Sequence, residues 1–226
     1  MLVNRLRFSV RDATEVSAIF ARPPDPIALL VLAHGAGAGM THPFLENVAA
    51  ELAAAGLATF RYQFPYMEQH RRMPDHAATL TATVRVAVRT ANEHAPELPL
   101  LAGGKSLGAR MTSLAAANQP LEHVRGLVFF GFPLHPPHRP GIERAEHLKD
   151  VTVPMLFLQG TRDPFADLNL LRPVCARLGA SATLHEVATA EHSFHVLKRS
   201  GKTDAEVVAD LAGVVKIWVQ RLPNSS

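Results

Sequence analysis

The chain has 226 residues, of which 47% are hydrophobic, and its formal net charge is +3. This length predicts one domain over 1–226 with a substantial core, and the hydrophobic fraction argues against disorder. The longest purely apolar run, 27–33, is too short to cross a membrane, and the basic residues are scattered, so we expect neither a membrane nor a nucleic acid as partner.

Strands and helices are predicted to alternate along almost the whole chain. Alternating apolar and polar residues predict an antiparallel pair of strands over 2–10 and 16–21. Six further strands are predicted at 27–33, 57–62, 98–102, 124–131, 153–159 and 182–187. Helices are predicted at 43–55, 74–93, 106–117, 167–178 and 203–221, with a short helix within 132–150. This alternation predicts an α/β fold whose mostly parallel eight-stranded sheet is flanked by helices on both faces.

The segment between the fifth predicted strand and the next helix contains Gly104-Lys105-Ser106-Leu107-Gly108, which fits the G-x-S-x-G nucleophile elbow. A serine in such a strained turn brings strand and helix together, so the positions two before and two after it have no room for a side chain. A P-loop would need glycine where the chain has Pro99. A dinucleotide fingerprint in the turn 34–40 would need glycine at Met40 or His42.

A serine nucleophile needs a base, and the base needs an orienting acid. After this elbow the expected chain order is serine, acid, histidine. Asp163 follows the seventh predicted strand and His192 follows the eighth, so we expect Ser106, Asp163 and His192 to form a catalytic triad. The alternative acid is Asp167, which is placed to cap the next helix, and the alternative base is His195, which is further from its strand.

Acyl chemistry also needs backbone N–H donors for an oxyanion. We expect one from Leu107, which follows the nucleophile, and one from Ala36 in the glycine-rich turn; His34, before the turn, is expected to pack beneath it. The apolar residues expected either to contact a substrate or to seal the sheet edge are Phe64, Tyr66, Met67 and Phe132. The ammonium group of Lys105 has three possible roles: attracting an anionic substrate, biasing the histidine toward its neutral form, or a structural ion pair at the surface.

These motifs resemble those of the α/β-hydrolase superfamily over essentially the full length of the chain. The matching segments are 34–37, 61–67, 103–110, 160–163 and 191–194. The chain is most similar to small, lidless, dienelactone-hydrolase-like members, and to the group that includes testis-expressed protein 30 and a regulatory subunit of a chromatin acetyltransferase complex. The resemblance implies the α/β-hydrolase fold and the triad of Ser106, Asp163 and His192. The short stretch 132–152 leaves no room for a cap domain, and dienelactone hydrolases usually have cysteine where this chain has Ser106.

The sequence therefore predicts a serine hydrolase of the carboxylesterase, thioesterase or lactonase type, acting on a small, accessible acyl substrate. The alternatives are a non-catalytic interaction protein that retains the hydrolase fold, and an acyltransferase. We expect no cofactor and no metal, because the histidine pairs at 135/138 and 192/195 lack the further ligands of a metal site. The start of the chain has no signal-peptide core and Cys175 is the single cysteine, which favours a cytoplasmic protein. Substrate and oligomeric state stay open.

Overall fold

The computed structural model describes residues 1–10 and 14–223. Within them, one eight-stranded sheet has the order β1-β2-β4-β3-β5-β6-β7-β8. Its strands are β1 (Leu2–Ser9), β2 (Glu15–Arg22), β3 (Ala28–Ala33), β4 (Leu57–Tyr62), β5 (Leu100–Lys105), β6 (Val124–Phe130), β7 (Met155–Gly160) and β8 (Ala182–Val187). Strand β2 runs antiparallel to β1 and β4, and the other neighbours are parallel. The predicted mostly parallel sheet is thus confirmed.

Helices cover both faces of this sheet. They are α1 (Pro43–Ala54), α2 (Pro65–Glu68), α3 (Ala77–His94), α4 (Leu107–Asn118), α5 (Leu168–Leu178) and α6 (Asp204–Gln220). Buried residues of α3, α4 and α5 pack in one core on one face, and those of α1 and α6 pack in a second core on the other. Every residue of β3 is buried, as expected for a central strand covered on both sides.

Helix α6 begins at its predicted capping residue, whereas α3 begins later than predicted. The predicted capping box is confirmed, because the Thr203 side chain accepts from the Glu206 N–H and Glu206 accepts in return from the N–H of Thr203. Helix α3 begins at Ala77 rather than at residue 74 as predicted. The carboxylate of Asp75 instead accepts from the N–H of Tyr66 in α2, a short helix that the sequence analysis did not predict. This contact holds Asp75 outside α3.

The stretch 131–154, between β6 and β7, contains a single 3₁₀ helix, Glu143–Asp150, and no further helix. This 3₁₀ helix packs beside α4. The predicted absence of a helical cap therefore holds for this fully described stretch. Among the described residues, no helix is both long and apolar enough to span a membrane.

Candidate active site

Strand β5 meets helix α4 in a turn so tight that glycine is required on both sides of Ser106. Ser106 has φ 51° and ψ −110°, a backbone conformation that residues with a side chain rarely adopt. A Cβ on Gly104 would lie 2.6 Å from the Ala33 carbonyl oxygen, and a Cβ on Gly108 would lie 2.5 Å from the same atom. The steric reason predicted for the two glycines is confirmed. The preceding Gly103 has a similar role, because a Cβ there would overlap the carbonyl of a β6 residue.

The loops after β5, β7 and β8 bring Ser106, Asp163 and His192 together at one edge of the sheet. His192 Nε2 lies 2.8 Å from Ser106 Oγ, and His192 Nδ1 lies 2.7 Å from Asp163 Oδ2. Because an ionised carboxylate only accepts, Nδ1 carries the proton and Nε2 is free to accept from the serine hydroxyl. The His192 side chain is 20% exposed and that of Asp163 is fully buried, so solvent reaches the base and not the acid.

Two residues that the sequence analysis missed surround the acid and the base. Gln159, buried at the end of β7, donates from Nε2 to Asp163 Oδ2 at 2.5 Å, and the backbone N–H of Phe165 donates to Asp163 Oδ1 at 2.8 Å. The ring of Phe165 lies 4.5 Å from the imidazole of His192, between centroids. One signal was available in the sequence. Gln159 is a polar residue near the end of an otherwise apolar strand, where a buried amide needs a partner.

The two alternative residues point elsewhere. The Asp167 side chain accepts from the N–H of Asn169 and caps α5, as its alternative interpretation predicted. His195 pairs with Asp204 at 2.8 Å on an exposed surface, with Nδ1 bonded to the carboxylate, and this partner raises the pKa of His195.

Among the described residues, neither backbone N–H group predicted to bind an oxyanion has a protein acceptor. Leu107 is the first residue of α4, and Ala36 lies in an exposed turn after β3. Within 1–10 and 14–223, neither N–H donates a hydrogen bond to protein. The turn lies beside the nucleophile, because a Cβ on Gly35 would be 3.8 Å from Ser106 Cβ. The geometry therefore leaves two free donors near Ser106.

The side chains of His34, just after β3, and of Tyr66, in α2, support this turn. The Gly37 N–H donates to the Tyr66 hydroxyl at 3.1 Å. The Phe64 N–H donates to His34 Nε2 at 3.1 Å, so the other ring nitrogen donates to the Gly35 carbonyl at 2.7 Å. Burial lowers the pKa of His34 to about 4, which keeps the ring neutral. His34 thus has the structural position beneath the turn that the sequence analysis predicted.

A second serine–histidine contact exists away from the elbow. Ser113 Oγ, on α4, lies 2.8 Å from His147 Nε2 and also donates to the Arg110 carbonyl. Ser113 is fully buried, and burial together with the nearby Arg110 charge lowers the pKa of His147 to about 4. In the described chain no carboxylate is hydrogen-bonded to His147. Ser113 is not accessible to a substrate, and His147 has no acid partner among the described residues. We therefore assign the pair a structural role, in which it links α4 to the 3₁₀ helix.

Comparison with known proteins identifies the family. The family described as the alpha/beta hydrolase domain matches residues 26–220. The chain belongs to this family. The hydrolase shares its fold with a dienelactone hydrolase from Anabaena variabilis, with 21% identity and a TM-score of 0.75 over 99% of both chains. A serine hydrolase without a lid from Xanthomonas campestris has 21% identity and a TM-score of 0.74 over 99% of this chain and 97% of its own. A serine hydrolase homologue from Coxiella burnetii has 18% identity and a TM-score of 0.76 over 94% and 97%.

Three of the four apolar residues considered for substrate contact are buried in the core of this α/β hydrolase. Phe64, Tyr66 and Phe132 have no exposed surface and belong to the core beneath the strand ends. They cannot contact a substrate in this conformation, so the alternative interpretation, that they seal the sheet edge, is the better one. Only Met67 among the four apolar residues is partly exposed, and its contact with a substrate stays a prediction.

Of the three possible roles of Lys105, the surface ion pair is not the one that the structure shows. Lys105 Nζ donates to the backbone carbonyl of His192 at 2.6 Å, and it has no carboxylate within salt-bridge distance in the described part of the hydrolase. Burial lowers the pKa of Lys105 to about 8. Since the ammonium group is bonded inside the protein, this contact favours a structural role over binding of an anionic substrate.

Proposed function

We propose that this α/β hydrolase is a serine hydrolase that cleaves a small, accessible ester, thioester or lactone, with Ser106, Asp163 and His192 as its catalytic triad. The observation that carries the proposal is the continuous hydrogen-bonded series from Ser106 Oγ to His192, at 2.8 Å, and on to Asp163, at 2.7 Å. Both distances are within the range that proton transfer and orientation require.

The proposed reaction proceeds through an acyl-enzyme. His192 Nε2 accepts the proton of the Ser106 hydroxyl as Oγ forms a bond to the substrate carbonyl carbon, and the N–H groups of Leu107 and Ala36 stabilise the resulting oxyanion. The intermediate then expels the leaving group, which takes the proton from His192. Water, deprotonated by the same nitrogen, attacks the acyl carbon and releases the acid and the free serine. Asp163 holds the imidazole in the required tautomer and stabilises its charged form.

The proposed size of the substrate follows from the open surroundings of the nucleophile. The stretch 131–154 contributes one 3₁₀ helix rather than a cap, and Ala36 and Gly37, in the turn beside Ser106, are exposed. An esterase domain from Rhodothermus marinus, with 16% identity and a TM-score of 0.73, also has this fold. A sequence identity this low shows a shared fold and not a shared substrate, so the ester class is our proposal. The narrower resemblance to the testis-expressed protein 30 group is likewise a proposal, and it names no substrate.

A fluorophosphonate probe tests the nucleophile directly. We expect an adduct on Ser106, identified by peptide mass spectrometry, and no adduct in a folded Ser106→Ala variant. Ser113 is the matched control, since it also contacts a histidine but is fully buried and has no acid behind that histidine. Ser113→Ala should label like wild type. Hydrolysis of p-nitrophenyl acetate that persists in Ser106→Ala would remove Ser106 from the mechanism.

The same experiment separates the alternatives. An interaction protein that retains the fold would give no adduct in well-folded wild-type protein, and that result would overturn the proposal. An acyltransferase would form the adduct but would transfer the acyl group to an added alcohol or amine in preference to water. Product analysis with such nucleophiles distinguishes it from a hydrolase.

A further inference from the structure

The part-buried ammonium group of Lys105 lies between helix α1 and the loop that carries His192. Lys105 Nζ donates to the His192 carbonyl at 2.6 Å and lies 5.7 Å and 5.5 Å from the ring centroids of Phe44 and Phe194. These two rings are themselves stacked at 5.6 Å. Carbonyl oxygens and aromatic faces both attract a cation, so this environment partly replaces the hydration that Lys105 loses.

Space for the ammonium group depends on a glycine. Gly131, just after β6, has φ +68°, and a Cβ on it would lie 2.9 Å from Lys105 Nζ and 3.4 Å from His192 Nδ1. The ammonium and the imidazole are therefore close neighbours on either side of a position without a side chain. The charged or titratable groups that face Lys105 are Asp163, whose charge raises the Lys105 pKa against the larger effect of burial, and His192.

The loop that carries His192 is held in an unusual backbone conformation. Thr189 and Phe194, on either side of His192, have φ of 62° and 65° without being glycine. Such conformations persist only where surrounding contacts impose them. Among the described residues, Lys105 Nζ is the one group that donates to the His192 carbonyl. Lys105 therefore contacts the backbone of His192, the residue whose imidazole must lie close to Ser106.

We propose that Lys105 is a positioning residue for His192: its ammonium group binds the His192 carbonyl and so keeps the imidazole at hydrogen-bond distance from Ser106. The inference rests on the proposed function, because it assigns a role within the same site. Among the described contacts, the hydrogen bond of Lys105 Nζ is to the backbone of His192 and not to Ser106 Oγ or to the imidazole. A base misplaced by about 1 Å slows a reaction by up to roughly 100-fold while substrate binding is little changed.

Lys105→Met tests this role, because methionine retains an unbranched apolar side chain and removes the donor and the charge. With p-nitrophenyl acetate we expect kcat to fall about 10- to 100-fold, with KM within about twofold of wild type. Hydrogen exchange measured by mass spectrometry should show faster exchange in the peptide 189–195 and unchanged exchange in β3. Lys202→Met is the matched control, since Lys202 is an exposed lysine paired with Asp210, and it should behave as wild type in both assays.

Two outcomes overturn the inference. One is a folded Lys105→Met variant with wild-type kcat and wild-type exchange in 189–195. The other applies if that variant does not fold: Lys105→Ala, which removes the whole side chain with its donor, should show faster exchange in 189–195 and unchanged exchange in β3. Wild-type protection of 189–195 in folded Lys105→Ala contradicts the role. If wild-type protein forms no fluorophosphonate adduct, the proposed function fails. The exchange measurements would still show whether Lys105 holds the loop that carries His192.

Discussion

Replacing Ser106 by glycine should stabilise the protein relative to replacing it by alanine. Both variants lack the hydroxyl, so they differ only in what the backbone at φ 51°, ψ −110° costs. A side-chain-bearing residue in a sparsely populated region costs about 1–3 kcal/mol, and glycine does not incur this cost. Glycine also makes the unfolded chain more flexible, which offsets about 0.5–1 kcal/mol of the gain. We therefore expect Ser106→Gly to be more stable than Ser106→Ala by roughly 0.5–2 kcal/mol.

Thermal and urea unfolding measure this difference. For a chain of this length a gain of that size raises Tm by roughly 1–8 °C, with an unchanged urea m-value. Ser181 is the control, because it is exposed and its φ is not positive, so Ser181→Gly should be less stable than Ser181→Ala. A Ser106→Gly variant whose Tm is equal to or lower than that of Ser106→Ala would refute the argument that the backbone at Ser106 is strained.

Three further changes test the surroundings of the triad. Asp163→Asn should lower kcat by about 10³- to 10⁴-fold in p-nitrophenyl acetate hydrolysis, because the amide stabilises the wrong tautomer of His192; a loss below tenfold would contradict the assigned acid. Gln159→Leu removes the 2.5 Å hydrogen bond to Asp163 and should lower kcat about tenfold at unchanged KM, which steady-state kinetics will measure; a change in KM alone would speak against it. Tyr66→Phe removes the acceptor of the Gly37 N–H. We expect kcat to fall several-fold, because the Ala36 N–H donor would be displaced. A wild-type kcat would show that the turn keeps its conformation without this hydrogen bond.

Much of the fold could be predicted from the chain because its strand signals are local. Alternation in 2–10, the apolar run 27–33 and the glycines around Ser106 each report a constraint that a few neighbouring residues impose. Helix ends were harder to predict, as α3 shows. Asp75 was predicted within α3 but lies before it, and its carboxylate accepts from the N–H of Tyr66 in α2. The few residues around a helix end do not show that a side chain there will bind an amide of another helix.

The candidate site divides in the same way. Ser106, Asp163 and His192 could be proposed because each follows a strand in a known order. Gln159 stands out as a polar residue in an apolar strand, but its contact with Asp163 and the contact of Lys105 with His192 could not be predicted, since both depend on the direction of a side chain inside the assembled fold. The same gap explains the error at Phe64 and Phe132. An apolar residue at a strand end faces either the solvent or the core, and only packing decides which.

The contact between Ser106 and His192 joins residues 86 positions apart in the chain. Parallel neighbours such as β3 and β5 cannot form as hairpins, because each pairing must wait for the crossover that separates them. The base therefore reaches the serine only after β5, β6, β7 and β8 have aligned. Under the proposed function, a nascent or partly unfolded chain has Ser106 without its base, so reactivity toward acyl groups would arise only late in folding.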